Sequence, residues 1–174
     1  MRGTSRQAIK EDLLQFALPG LLVFLVELML CADRLDGFWG RVWSLIKRPA
    51  GLFEMPVAGA TGLALFMSGL LIMVTGQITL RGNYSGTVKI RVGHTLITNG
   101  IYRYSRNPIY LGGLMCTTGI PLHCESLVGL FVSLALVPIV LNRIRLEERL
   151  LGEEFGDSYR EYKKATTRLI PFVW

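Results

Sequence analysis

Arg143 and Glu147 lie four residues apart, where a long apolar run gives way to a charged tail. On a helix that spacing puts both side chains on one face. In a plain surface ion pair the acid is better placed before the base, and here the base comes first. A charged pair at the edge of hydrocarbon is costly unless it is partnered or lines a cavity. The pair therefore reads either as a helix-surface ion pair or as part of a polar cavity wall. Glu148 adds a second carboxylate beside it. Upstream, residues 93–112 read GHTLITNGIYRYSRNPIYLG. Pro108 suits the first turn of a helix, where its missing N–H costs nothing, and the exposed N–H groups of such a start can hold an anionic group. Each neighbour also has a plain alternative: Arg103 and Arg106 as headgroup anchors, Tyr102, Tyr104 and Tyr110 as an aromatic belt, His94 as a turn residue. Cys31, Cys116 and Cys124 are odd in number and lack metal-ligand spacing. They read as small apolar fillers, and no metal site is expected.

The elements that must position these residues are membrane spans. The chain has 174 residues, of which 51% are hydrophobic and 18% charged, with a net charge of +6. Soluble chains carry roughly 25% charged residues, so disorder, an acidic tail and a plain water-soluble enzyme are all excluded. Roughly 20 apolar residues cross a bilayer. Residues 13–32 meet this, with Pro19 and Glu27 inside them, and residues 56–80 contain no ionisable group. Residues 107–142 are too long for one crossing and are broken by Pro121, His123, Cys124 and Glu125. They divide into two short antiparallel spans, 108–122 and 126–141. The expectation is an all-α, polytopic membrane helix bundle of about four spans, in one domain over residues 1–174. Residues 1–80 supply two spans and an interfacial segment (33–55, with Phe38, Trp39 and Trp43), and residues 81–174 supply the core. Residues 13–32 are too long, and too interrupted by Glu27, for a signal peptide.

Most of the net charge has one address. Residues 81–107 hold Arg81, Lys89, Arg91, Arg103 and Arg106 and no acid. The positive-inside rule counts such loops. It places this loop, both termini and the associated site in the cytoplasm. Nucleic-acid binding is disfavoured, because the bases are confined to a loop beside the membrane.

Taken in order, the motifs resemble a known family. They are Gly93-His94-x-Leu96-Ile97, Gly100-Ile101-Tyr102, Arg106-Asn107-Pro108-x-Tyr110-x-Gly112, Arg143-x3-Glu147-Glu148, Glu154-Phe155-Gly156-Asp157-x-Tyr159-x-x-Tyr162 and Leu169-Ile170-Pro171-Phe172. Their spacing is similar to that of the isoprenylcysteine carboxyl methyltransferases and their bacterial and phospholipid-methylating relatives, over residues 80–174. The resemblance implies an integral membrane methyltransferase that uses S-adenosyl-L-methionine without a Rossmann domain. It also implies a cytoplasmic cofactor pocket built from the 81–107 loop and the C-terminal helical segment. Carried over by position, it assigns His94, Thr95, Leu96, Ile97, Tyr102, Asn107, Pro108, Ile109, Tyr110 and Glu147 to the cofactor and Arg143 to the substrate. The carboxyl methyltransferases have histidine where this chain has Asn107, and asparagine donates and accepts hydrogen bonds but takes no proton near neutral pH.

Methyl transfer from a sulfonium is an in-line displacement needing alignment and no metal. A carboxylate acceptor is already ionised, and Arg143 can orient it through a bidentate pair. An amine or thiol must lose a proton, which makes Glu147 or Glu148 the candidate base. Glu148 is the catalytic candidate of the two if Glu147 holds the cofactor. The expected partners are a lipid or small lipophilic methyl acceptor and membrane lipids. Two other readings are a sterol- or steroid-type reductase using NADPH through Arg103, Arg106 and Arg145, and a non-catalytic protein whose basic loop binds anionic lipid.

Overall fold

The computed structural model describes residues 56–80 and 95–171, together with Leu25, which is helical. The spans and loops expected over 13–32, 33–55 and 81–94, with Glu27 and His94 among them, lie outside the described residues. Within them the fold is all-helical: α1 (Pro56–Leu80), a short 3-10 turn (Gly100–Arg103), α2 (Pro108–His123) and α3 (Leu127–Ala165). The expected bounds of the second span coincide with α1, and Pro108 opens α2 as its N-terminal proline. α1 and α3 are long and apolar enough to cross a membrane. With 16 residues, α2 rises only about 24 Å.

α1 has no polar face, so its partner is chosen by shape. Gly62, Gly69 and Gly76 recur every seven residues, two helical turns apart, and face Gly119, Gly112 and the Pro108–Ile109 start of α2 respectively. A Cβ at Gly69 would lie 2.7 Å from the Gly112 carbonyl, and one at Gly119 would lie 2.7 Å from the Gly62 carbonyl. The two backbones touch, as small residues allow in lipid where no hydrophobic force drives association. Hydroxyls on α1 bond back onto their own helix: Thr61 and Thr79 donate to the carbonyls of Val57 and Thr75 at 2.6 and 2.8 Å. Ser133 of α3 donates to Thr117 of α2 at 2.6 Å. The outward faces are apolar, with Leu71 69% and Phe131 71% exposed, as expected of surfaces meeting acyl chains.

Ser126 caps α3 by accepting from the Gly129 N–H at 3.1 Å. α3 has 39 residues, about 58 Å at 1.5 Å each, so it runs well past a hydrocarbon core of about 30 Å. Its polar second half bends at Gly156, whose φ of 51° and ψ of −119° leave helical space. Such a positive φ costs glycine little. Beyond Thr166 the chain is extended and folds back along the 3-10 turn, with Ser105 and Thr167 forming an isolated parallel bridge. One expectation needs correction here. Cys124, in the α2–α3 turn, is disulfide-bonded rather than an apolar filler. Cys116 is a free thiol that donates to the Phe66 carbonyl at 3.5 Å.

Candidate active site

The start of α2, the middle of α3 and the strip 166–169 meet at one end of the bundle, where two carboxylate clusters sit side by side. In the first, the Tyr110 hydroxyl donates to Glu147 Oε1 at 2.6 Å and Arg143 Nε donates to the same oxygen at 2.9 Å. Arg143 Nε also lies 3.3 Å from the Tyr110 hydroxyl. The Arg143 side chain is 4% exposed and that of Glu147 is 28%. The base-first pair read from the sequence is thus a largely buried one, cross-linked to a second helix. Glu147 Oε2 accepts nothing from the described residues, so one oxygen is fixed and the other stays open to a ligand.

The second cluster is closed. Glu148 is 6% exposed, with Oε1 on Arg106 Nε at 2.9 Å and Oε2 on Arg168 Nε at 3.2 Å. Arg106 is 8% exposed. Its Nη1 donates to the Lys163 carbonyl at 3.1 Å and to the carbonyl of Thr166. A carboxylate withdrawn from water is stable only with such partners, and stripping one away costs about 3–5 kcal/mol. More hydrogen bonds bind the same two segments. Ser105 Oγ donates to Leu169 O at 2.8 Å, Asn107 Nδ2 to Arg168 O at 2.8 Å, and Thr167 Oγ1 to Tyr104 O at 2.7 Å. Tyr162 donates to the Tyr102 carbonyl at 2.7 Å. The Tyr159 hydroxyl is buried with no hydrogen-bond partner. Burial pushes both phenols well above the ordinary tyrosine range, and the Glu148 charge pushes Tyr159 further the same way.

The structure therefore sorts the residues singled out from the sequence. Tyr110, Arg143 and Glu147 converge. Ile97 lines a half-open cleft of about 500 Å³ with Ile78, Thr79, Asn99 and Gly100. That volume lies within the roughly 300–1,000 Å³ of small-molecule pockets. Leu96 is half-buried beside Ile97, and Thr95 is exposed. Tyr102 is buried in the 3-10 turn. Pro108 and Ile109 pack on α1, where a Cβ at Gly76 would lie 2.9 Å from Ile109 Cγ1. Asn107 turns to the tail backbone, and Glu148 has both oxygens occupied. Arg106 is a buried hub rather than a headgroup anchor, while Arg103 is exposed. Sequence reasoning missed Arg168, Thr166 and Ser105 altogether. The only signal for them was that Arg106 and Leu169 open two of the ordered motifs.

Comparison with known proteins gives this arrangement its context. The fold is similar to that of a solved eukaryotic intramembrane Ras methyltransferase, isoprenylcysteine carboxyl methyltransferase. The TM-score is 0.66 and the identity 20%, over 91% of this chain and 53% of that one. The phospholipid methyltransferase family matches residues 57–158, and the chain belongs to that family. Among curated relatives, the protein-S-isoprenylcysteine O-methyltransferase of Schizosaccharomyces pombe is 30% identical over 161 residues, covering 87% of this chain and 66% of its own length. The enzyme of the same name from Dictyostelium discoideum is 35% identical over 122 residues, covering 63% of this chain and 51% of its own. The chain thus spans two thirds or less of the length of these relatives.

Proposed function

We propose that this chain transfers a methyl group from S-adenosyl-L-methionine to a lipophilic acceptor within the membrane. The Tyr110–Arg143–Glu147 cluster carries the reading. The family resemblance assigns these residues to cofactor and substrate, and Glu147 presents a carboxylate with one oxygen fixed by two donors. Glu147 Oε2 is free to accept a hydrogen bond from a cofactor donor, while Tyr110 and Arg143 hold Oε1 in place. When bound, the cofactor supplies an electrophilic methyl group. Arg143 orients the acceptor, and the apolar helices admit it sideways from the bilayer and keep water out. Alignment of this kind is worth about 7–11 kcal/mol.

The acceptor we favour is a carboxylate. Glu148 has both oxygens on guanidinium groups, and the open oxygen of Glu147 is the one we assign to the cofactor, so neither of the two is left to serve as a base. A carboxylate needs none, because it is ionised at neutral pH. We place the site in the cytoplasm of a multi-pass protein. Two features at opposite ends of α2 support this: the basic loop precedes its start, and the disulfide-bonded Cys124 follows its end, where an oxidising compartment keeps disulfides intact.

Calorimetry in detergent tests the cofactor. Wild-type protein binds S-adenosylhomocysteine, Glu147→Ala does not, and neither binds NADPH. Binding that survives in Glu147→Ala removes α3 from the cofactor site. Labelled S-adenosylmethionine with a host lipid extract tests the acceptor. Label released by mild alkali marks a methyl ester, and alkali-stable label marks an amine or thiol and overturns the carboxylate assignment.

A further inference from the structure

Asn107 occupies the N-cap position of α2, where an asparagine usually accepts a hydrogen bond from the helix backbone. Its side chain makes no such bond. Instead Nδ2 donates 2.8 Å across to the Arg168 carbonyl, 61 residues away in sequence. Its own backbone N–H donates at 3.2 Å to Ser105 Oγ, which in turn donates to Leu169 O. The residue is 8% exposed. The donor of a capping residue is thus committed to the far end of the chain, and capping does not explain it.

The connection closes on itself. Arg168, held by its carbonyl, places Nε on Glu148 Oε2, and the other Glu148 oxygen is held by Arg106, the residue just before Asn107. Glu148 is next to Glu147 on α3, and Tyr110 is one helical turn beyond Asn107 on α2. The ring Arg106–Glu148–Arg168–Asn107 therefore fixes the register between the helix that carries Tyr110 and the helix that carries Glu147.

We propose that Asn107 is a positioning residue: it holds the strip 166–169 against the start of α2, sets the Tyr110–Glu147 contact through that ring, and carries no proton in the reaction. The part that concerns ligand affinity rests on the methyltransferase reading, and the part that concerns the strip does not. Any side chain with an N–H donor at this height satisfies the Arg168 carbonyl, so histidine can replace asparagine here and leucine cannot.

The test uses the full chain in detergent. Hydrogen exchange is read at the Arg106 amide, which donates to the Thr167 carbonyl at 3.0 Å, and S-adenosylhomocysteine affinity is read by calorimetry. Asn107→Leu loses protection and affinity by about tenfold each, as for one lost buried hydrogen bond. Asn107→His keeps both within about threefold, with no new inflection near pH 6.5, where histidine titrates, in the rate profile. Ser105→Ala, a milder variant in case Asn107→Leu does not fold, loses less of the same two quantities. Wild-type protection in both Asn107→Leu and Ser105→Ala overturns the proposal. So does a new inflection near pH 6.5 in Asn107→His with a changed maximal rate. If the wild-type chain binds no S-adenosylhomocysteine, the methyltransferase reading fails and the exchange comparison alone decides the role of Asn107.

Discussion

Glu147 and Glu148 are neighbours in the chain and opposites in circumstance. Glu147 is 28% exposed, with one oxygen held by Tyr110 and Arg143. Glu148 is 6% exposed, with both oxygens on guanidinium groups. A helix turns about 100° per residue, so adjacent side chains face different surroundings. Here one faces the Tyr110 side of α2 and the other the returning tail. The difference teaches how one helix serves two ends. The first carboxylate keeps an oxygen without a partner among the described residues, and the second spends both on holding the fold together.

The strongest way to break this contrast is to delete each acid. Glu148→Ala is expected to lower stability by about 3–5 kcal/mol, since it strands the buried Arg106 and takes a partner from the part-buried Arg168. Glu147→Ala removes a 28% exposed carboxylate from one buried guanidinium, that of Arg143, and is expected to cost less, about 1–3 kcal/mol, while abolishing cofactor binding. Thermal unfolding in detergent checks both, and equal melting of the two variants removes the distinction. Tyr110→Phe sharpens the contrast from the ligand side. Losing one hydrogen bond to a charged group is worth about 1.5–3 kcal/mol, so melting should fall, and S-adenosylhomocysteine affinity should fall with it because the phenol no longer holds Glu147 Oε1.

Two tyrosines test the closed cluster more finely. Tyr162→Phe removes the bond to the Tyr102 carbonyl and should cost about 1 kcal/mol. Tyr159→Phe removes a hydroxyl that has no partner, so its melting should match or slightly exceed wild type. The smallest effect is on pH. Both phenols have folded-state values raised above the unfolded value of about 10. The folded state therefore binds more protons in alkali, and stability should be level up to about pH 10 and fall above it. The Tyr159→Phe, Tyr162→Phe double variant should flatten that fall in an alkaline melting series.

Much of the frame was legible in the sequence because it is local. α1 shows as a run without ionisable groups, α2 starts at Pro108, and Arg143 and Glu147 show as one face of one helix. The closed cluster was not legible, because its members are distant in sequence. Arg106 reaches Glu148 across 42 residues and the Thr166 carbonyl across 60. Read locally, Arg106 is a headgroup anchor and Glu148 a spare base, and only the packing of α3 against the start of α2 makes them partners. Asn107 was assigned to the cofactor by position in a motif, and its bond to the Arg168 carbonyl, 61 residues away, is another contact that local spacing does not encode. Cys124 was read as a filler because a disulfide depends on proximity that spacing does not encode.

The pairing of residues 102–107 with 162–169 also bears on biosynthesis. A chain leaves the ribosome in order, and its domains and segments organise as they emerge. α1 and α2 can join through their glycines while α3 is still unmade, but Arg106 has nothing to hold until Glu148 is out and Asn107 nothing until Arg168 is. A nascent or truncated chain can thus be inserted and helical while its site is still unbuilt. Closure of the Arg106–Glu148–Arg168–Asn107 ring is then a late event that reports synthesis of the tail.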